Sequence, residues 1–267
     1  MQRHSRLGAR VLTGFTMLVF AFLMLPLLVV FPISVSSASY MQFPPPGFSW
    51  QWYQRYFGDE IWIEATIRSF QVAALCTLLA MLLGVPLAFL LVRSKRRGTW
   101  ILDRLAAAPI IVPTIILSIA IYSIFARLQL IGVWYGVAIA HTVLALPFVV
   151  ILVGAGLRGF DQAQEQAAMG LGASWPVAIW RITLPQLRPS LISAAFLAFI
   201  SSFDELVVAM FLSGAAMTLP KKMFDNIMME IDPTIAAVSV TQILLVGICL
   251  GLTALFGRGA LATTMSR

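Results

Sequence analysis

The chain has 267 residues, 60% of them hydrophobic and only 11% charged, with a formal net charge of +7. A soluble globular chain carries about 25% charged residues, so this composition, with a mean hydropathy of +0.92, excludes a soluble enzyme core, a disordered chain, a collagen and a disulfide scaffold. Cys76 and Cys249 each sit inside an apolar run, as small buried side chains do, and not at the spacing of a staple or a metal site.

A hydrocarbon core about 30 Å thick needs roughly 20 helical residues. After Arg3, Arg6 and Arg10 the first apolar run covers 11–33, longer than the core of an ordinary signal peptide, and is read as a spanning helix. An aromatic loop over 36–63 follows. Pro44–Pro45–Pro46–Gly47 cannot be helical, Ser49 is placed to cap a helix, and Trp52/Tyr56 and Tyr53/Phe57 stand at i, i+4 spacing. That pattern predicts a short amphipathic helix at the membrane surface, serving as an interfacial belt or a docking ledge. Further spans are predicted at 66–92, 105–127, 133–156, 190–213 and 234–257, which makes the chain an all-α polytopic membrane domain of six helices over 1–267. Prolines 86, 109, 113 and 147 are expected to kink these helices. Thirteen of the 18 Lys and Arg fall at the termini, in the 93–104 loop or in the 157–189 loop, which by the positive-inside rule places both termini in the cytoplasm. The same reading absorbs the cluster Arg93, Lys95, Arg96, Arg97 as orientation rather than a nucleic-acid footprint. The charged 214–234 loop, with Lys221, Lys222, Asp225, Glu230 and Asp232, is expected as solvated outer surface or a contact face.

The cytoplasmic 157–189 segment carries more structure than a connector needs. Asp161 and Gln164 resemble a capping box, Gly172 stands where a helix ends left-handed, and Ser174 is placed to cap a second helix over Trp175–Thr183 that Pro185 is expected to stop. Trp175, Val177, Trp180 and Leu184 offer apolar surface to a partner or to the bundle. Gly154–Ala155–Gly156–Leu157–Arg158–Gly159 satisfies GxGxxG, but it ends an apolar run instead of following a strand, so no dinucleotide role is read into it. His4 and His141 lack partners at metal-ligand spacing, and His141 is expected to hydrogen-bond between helices. Asp204 and Glu205 are costly inside a span and mark the bundle interior, with Ser201 one turn earlier. They read either as a structural pair or as pathway carboxylates suited to a cation.

The order Gln166–Ala167–Ala168, three residues, Gly172, nine residues, Ile182–Thr183–Leu184–Pro185 resembles the EAA loop of permease subunits of type I binding-protein-dependent ABC importers. Gln166 stands where that family usually has glutamate, with Glu165 just before it. Phe43–Pro44–Pro45–Pro46–Gly47–Phe48–Ser49, Ser202–Phe203–Asp204–Glu205, and Thr218–Leu219–Pro220 followed by Asp232–Pro233 resemble the spermidine/putrescine-type branch. The resemblance implies an inner-membrane permease without a cofactor of its own, importing a polyamine or another small organic solute. It also implies a second homologous permease, a dimer of ATPases that binds ATP and Mg and docks on Glu165, Gln166, Ala167, Ala168, Gly172, Ile182, Leu184 and Pro185, and a periplasmic solute-binding protein. Ser201, Asp204 and Glu205 would then line the pathway. A self-contained channel or ion-coupled transporter is the rival class, and matched broken helices would favour it.

Overall fold

The computed structural model describes residues 6–94, 98–229 and 231–262, within which the chain is helical and forms two compact units. Arg3, His4, Lys95, Arg96, Arg97, Glu230 and Arg267, with the side chains of Arg6, Cys249 and Arg258, lie outside the described residues.

One unit contains residues 1–63 and 223–247. Helix α1 (Arg6–Ser34) leaves its side chains exposed from Val11 to Leu28, as expected of a segment whose surroundings are lipid or another chain. The loop after it folds back: Ser37 N–H donates to Gly47 O at 3.0 Å and Ser49 N–H to Val35 O at 2.7 Å. Helix α2 (Gln51–Gly58) follows. Ser49 Oγ accepts from Gln51 N–H at 3.2 Å, while Trp50 holds the cap position itself. Of the two i, i+4 pairs on α2, one turns inward, while in the other Tyr53 is half-buried and Phe57 exposed. Trp52 and Tyr56 are buried within this unit, Trp52 Nε1 donates to Ser36 O at 2.8 Å, and Tyr56 meets Trp62 edge-on. Asp232 is buried as well, where the charge cluster had suggested solvated surface. Its carboxylate pairs with Arg55 at 3.0 Å and accepts from Thr234 N–H at 2.8 Å, opening helix α13 (Thr234–Ala262).

The other unit contains residues 64–222 and 248–267. Its backbone is formed by α3 (Glu60–Arg93), which enters from residue 64, then α4 (Thr99–Ile111), α5 (Thr114–Arg127) and α6 (Trp134–Gly159). The loop helices are α7 (Ala163–Gly170), α8 (Trp175–Ala178), a π turn at Ile179–Thr183 and α9 (Leu184–Gln186). Helices α10 (Arg188–Phe203), α11 (Val207–Leu212) and the start of α12 (Leu219–Met229) complete it. Helix α10 packs mainly on α6, and two small-residue cores, around Ala145/Val149/Ala194/Ala198 and around Val137/Ala138/Val208/Ala209, bring the helices close. Of the GxGxxG glycines, Gly156 belongs to this packing: a Cβ there would overlap Ser190 on α10.

Among the described residues, three helices are long and apolar enough to cross a membrane, and up to five crossings result if each of two bent pairs counts as one span. The predicted continuous 105–127 span is broken by 109° between α4 and α5. Val112 is extended there, as the residue before a proline must tend to be, and Pro113 has no N–H to continue the ladder. The helices pass through Pro86, Pro109 and Pro147. The predicted 190–213 span is likewise interrupted, at Asp204–Leu206. Pro185 does not stop the loop helix either. The π turn widens the coil by one residue just before it, with Leu184 N–H reaching Ile179 O, and the axis turns by 72° only before α10, which Pro189 opens.

Candidate functional site

Two groups of predicted residues are assembled in the larger unit, the loop between α6 and α10 and the break between α10 and α11. In the loop, Asp161 Oδ1 accepts from Ala163 N–H at 2.9 Å and starts α7. Gln164 does not close a capping box: its Oε1 accepts from Gln186 Nε2 at 2.5 Å, tying the two arms of the loop together. Gly172 has φ +95°, the left-handed conformation that its position predicted, and redirects the chain into α8. Ser174 holds the cap position of α8 but makes no side-chain cap hydrogen bond. Gln166 and Ala167 are exposed, Ala168 is half-buried, and Leu171, Trp175 and Trp180 stand open at 91%, 55% and 72% of their surface. Ile182, Leu184 and Pro185 belong to the π turn and α9.

Glu165 is placed differently from its neighbours. It is buried, and Arg93 at the end of α3 grips its carboxylate with two hydrogen bonds, Nη1 to Oε2 at 2.5 Å and Nη2 to Oε1 at 2.7 Å. Thr183 Oγ1 donates to the same carboxylate, and Phe89 and Phe160 flank the guanidinium with ring centres 5.1 and 5.9 Å away. Burial pushes the Glu165 carboxyl upward, but the hydrogen bonds from Arg93 and Thr183 and the Arg93 charge outweigh it, so it sits below the usual glutamate value. Glu165 is therefore an internal brace and is not free to replace the missing glutamate at Gln166 as a surface contact. The sequence could have indicated this only through an apolar register on α7, too short at eight residues to show one. Between α3 and the loop lies a largely apolar cleft of about 660 Å³, lined by Pro86, Phe89, Trp175 and Trp180 among others.

At the second site, α10 ends at Asp204, whose N–H reaches back to Ile200 O at 3.1 Å. Asp204 is exposed and Ser201 and Glu205 are half-buried. Glu205 Oε1 accepts from Val208 N–H at 2.9 Å and so satisfies a donor in the first turn of α11. The two carboxylates are thus not neighbours on one continuous helix: one caps a half-helix and the other is open. Just before the break, Ser202 Oγ and His141 Nδ1 share a buried hydrogen bond of 2.9 Å between α10 and α6, the interhelical role expected of His141. Cys76 packs beside Ser202 and Thr142.

The described residues thus combine long apolar helices, a braced loop and a helix broken beside two acids. The family described as binding-protein-dependent transport system inner membrane component matches residues 80–266, and the chain belongs to it. It is 30% identical to the spermidine/putrescine transport system permease protein PotC of Haemophilus influenzae, over 87% of this chain and 90% of that one. It is 32% identical to the putrescine transport system permease protein PotI of Escherichia coli, over 86% of this chain and 84% of that one. Its fold is similar to that in a crystal structure of a bacterial ABC transporter importing the acidic polysaccharide alginate, with a TM-score of 0.73 at 19% identity, covering 95% of this chain and 98% of that one.

Proposed function

We propose that this chain is a permease subunit of an ATP-driven importer of polyamines, spermidine or putrescine, in the bacterial inner membrane. The relatedness to PotC and PotI over nearly the whole chain carries the reading of the solute. The 157–189 loop, with exposed Leu171, Trp175 and Trp180 set on a braced frame, supports docking to partner ATPases that bind and hydrolyse ATP with Mg. A second homologous permease completes the bundle and a periplasmic binding protein delivers solute to the outer loops. The proposed six crossings count α4–α5, a bent pair, and α10–α11, interrupted at Asp204–Leu206, as one broken span each, and the charge asymmetry sets both termini in the cytoplasm. Closure of the ATPase dimer moves the loop, and the bundle rocks between two accesses.

In the pathway, the open carboxylate of Asp204 stands beside the carbonyl end of α10, a combination that favours a cation where a continuous helix would offer no such groups. Ser201 adds a polar group on the same helix, and Glu205 acts mainly by holding the break open. The test is affinity purification of the tagged chain from cells expressing the whole operon-encoded set of subunits. ATPase subunits should co-purify, and replacing Leu171, Trp175 and Trp180 together by alanine should release them. Retention of the ATPases by that triple variant would contradict docking through this loop.

A further inference from the structure

We propose that Arg93, Glu165 and Thr183 form the strut that turns motion of the cytoplasmic loop into motion of the α3 helix, making them positioning residues for coupling rather than contacts of the ATPase; this rests on the importer reading above. A loop of short helices joined at a left-handed glycine absorbs a push unless something ties it to the bundle. The covalent ties are α6 at one end and α10 at the other, and both meet α3 through apolar side chains, a packing that fixes no direction. The carboxylate of Glu165 supplies the missing tie, since it is held at once by the last residue of α3 and by the last residue of the π turn. Both arms of the loop and the inner end of α3 therefore meet on one buried carboxylate.

The geometry is suited to carrying load. The Arg93–Glu165 pair is bidentate, which fixes direction as well as distance. Glu165 is 4% exposed and the guanidinium lies between two phenyl rings, so water does not compete for the pair as it would at the surface. The adjoining apolar cleft separates Pro86 and Phe89 of α3 from Trp175 and Trp180 of the second arm, and the contact through Glu165 spans the two beside it. A loose surface ion pair would transmit little of such a movement.

The complex of this chain with its sister permease, ATPases and binding protein, reconstituted in proteoliposomes, tests the proposal through spermidine imported per ATP hydrolysed. Glu165→Gln keeps the shape but removes the charge that Arg93 grips, and Thr183→Val removes the other arm alone. Both complexes should still co-purify and hydrolyse ATP, with import per ATP falling severalfold in Glu165→Gln and less in Thr183→Val. An unchanged ratio in both variants overturns the strut. So does loss of the ATPases from Glu165→Gln with a normal ratio in Thr183→Val, because the network then only builds the loop. Failure of the wild-type complex to import spermidine with ATP would instead count against the importer reading, and the two failures are distinct.

Discussion

Asp204 and Glu205 are adjacent in sequence and separate in duty. Neutralising the open carboxylate removes charge from the break without removing a backbone partner, whereas Glu205→Gln weakens the tie to Val208 N–H that starts α11. Asp204→Asn should therefore lower polyamine uptake severalfold with the assembled complex intact, and Glu205→Gln should mainly lower the yield of folded complex. Equal uptake by wild type and Asp204→Asn would make the carboxylate a bystander. Glu165 has a pH signature. Its carboxyl is held below the ordinary glutamate value, so its contribution to the folded loop is complete above that value and is lost as pH falls through the lowered one. Limited proteolysis of the loop at graded pH should show protection persisting below the ordinary glutamate range in wild type and no such acid step in Glu165→Gln. Both acids stood out in the sequence, one in a span and one beside the EAA-like triplet. The brace was not legible because Arg93 lies 72 residues away, and the cap was hidden because Glu205 was read inside one continuous span.

Among elements, the 157–189 loop was legible in part because some of its punctuation is local: Asp161 starts α7 and Gly172 turns left-handed within a turn of themselves, whereas the helix runs on through Pro185. Gly172→Val should cost on the order of 1–3 kcal/mol by forcing a β-branched residue to φ +95°. It should also misdirect α8, so that uptake falls while the chain still inserts. Normal uptake by that variant would show that the hinge tolerates redirection. Gly156→Val tests the α6–α10 contact. A side chain there meets Ser190, and overpacking of about 1–3 kcal/mol should lower the thermal stability of the purified complex, with Gly159→Val, which meets no neighbour, as the control. The breaks after Ile111 and after Phe203 escaped the sequence reading. Hydropathy is continuous across the first and interrupted at the second only by Asp204 and Glu205, and it reports lipid or protein surroundings rather than backbone direction. Pro113 marked the first break only as a kink, and the second depends on a carboxylate capping a new helix. On α2, periodicity showed which residues share a face but not what covers it: Trp52 and Tyr56 turn theirs onto their own loop, and Phe57 stays exposed.

At the scale of the whole molecule, the proposed orientation rests on thirteen basic residues in the expected inner segments against five in the expected outer ones. In a background without Cys76 and Cys249, a cysteine at exposed Gln54 should react with an impermeant thiol reagent from outside intact cells, and one at exposed Ser174 should not. Labelling of Ser174 from outside would reverse the assignment and remove the loop from the ATPase side. The broken helices raise the rival of an ion-coupled transporter, and the energy source separates the two. The most direct measurement is uptake of labelled spermidine and putrescine by proteoliposomes holding this chain, its sister permease, the ATPases and the binding protein. An importer of this family accumulates the polyamine only with ATP and binding protein present, and continues to do so after an ionophore collapses the ion gradients. Accumulation that needs no ATP and disappears with the ionophore would contradict the account.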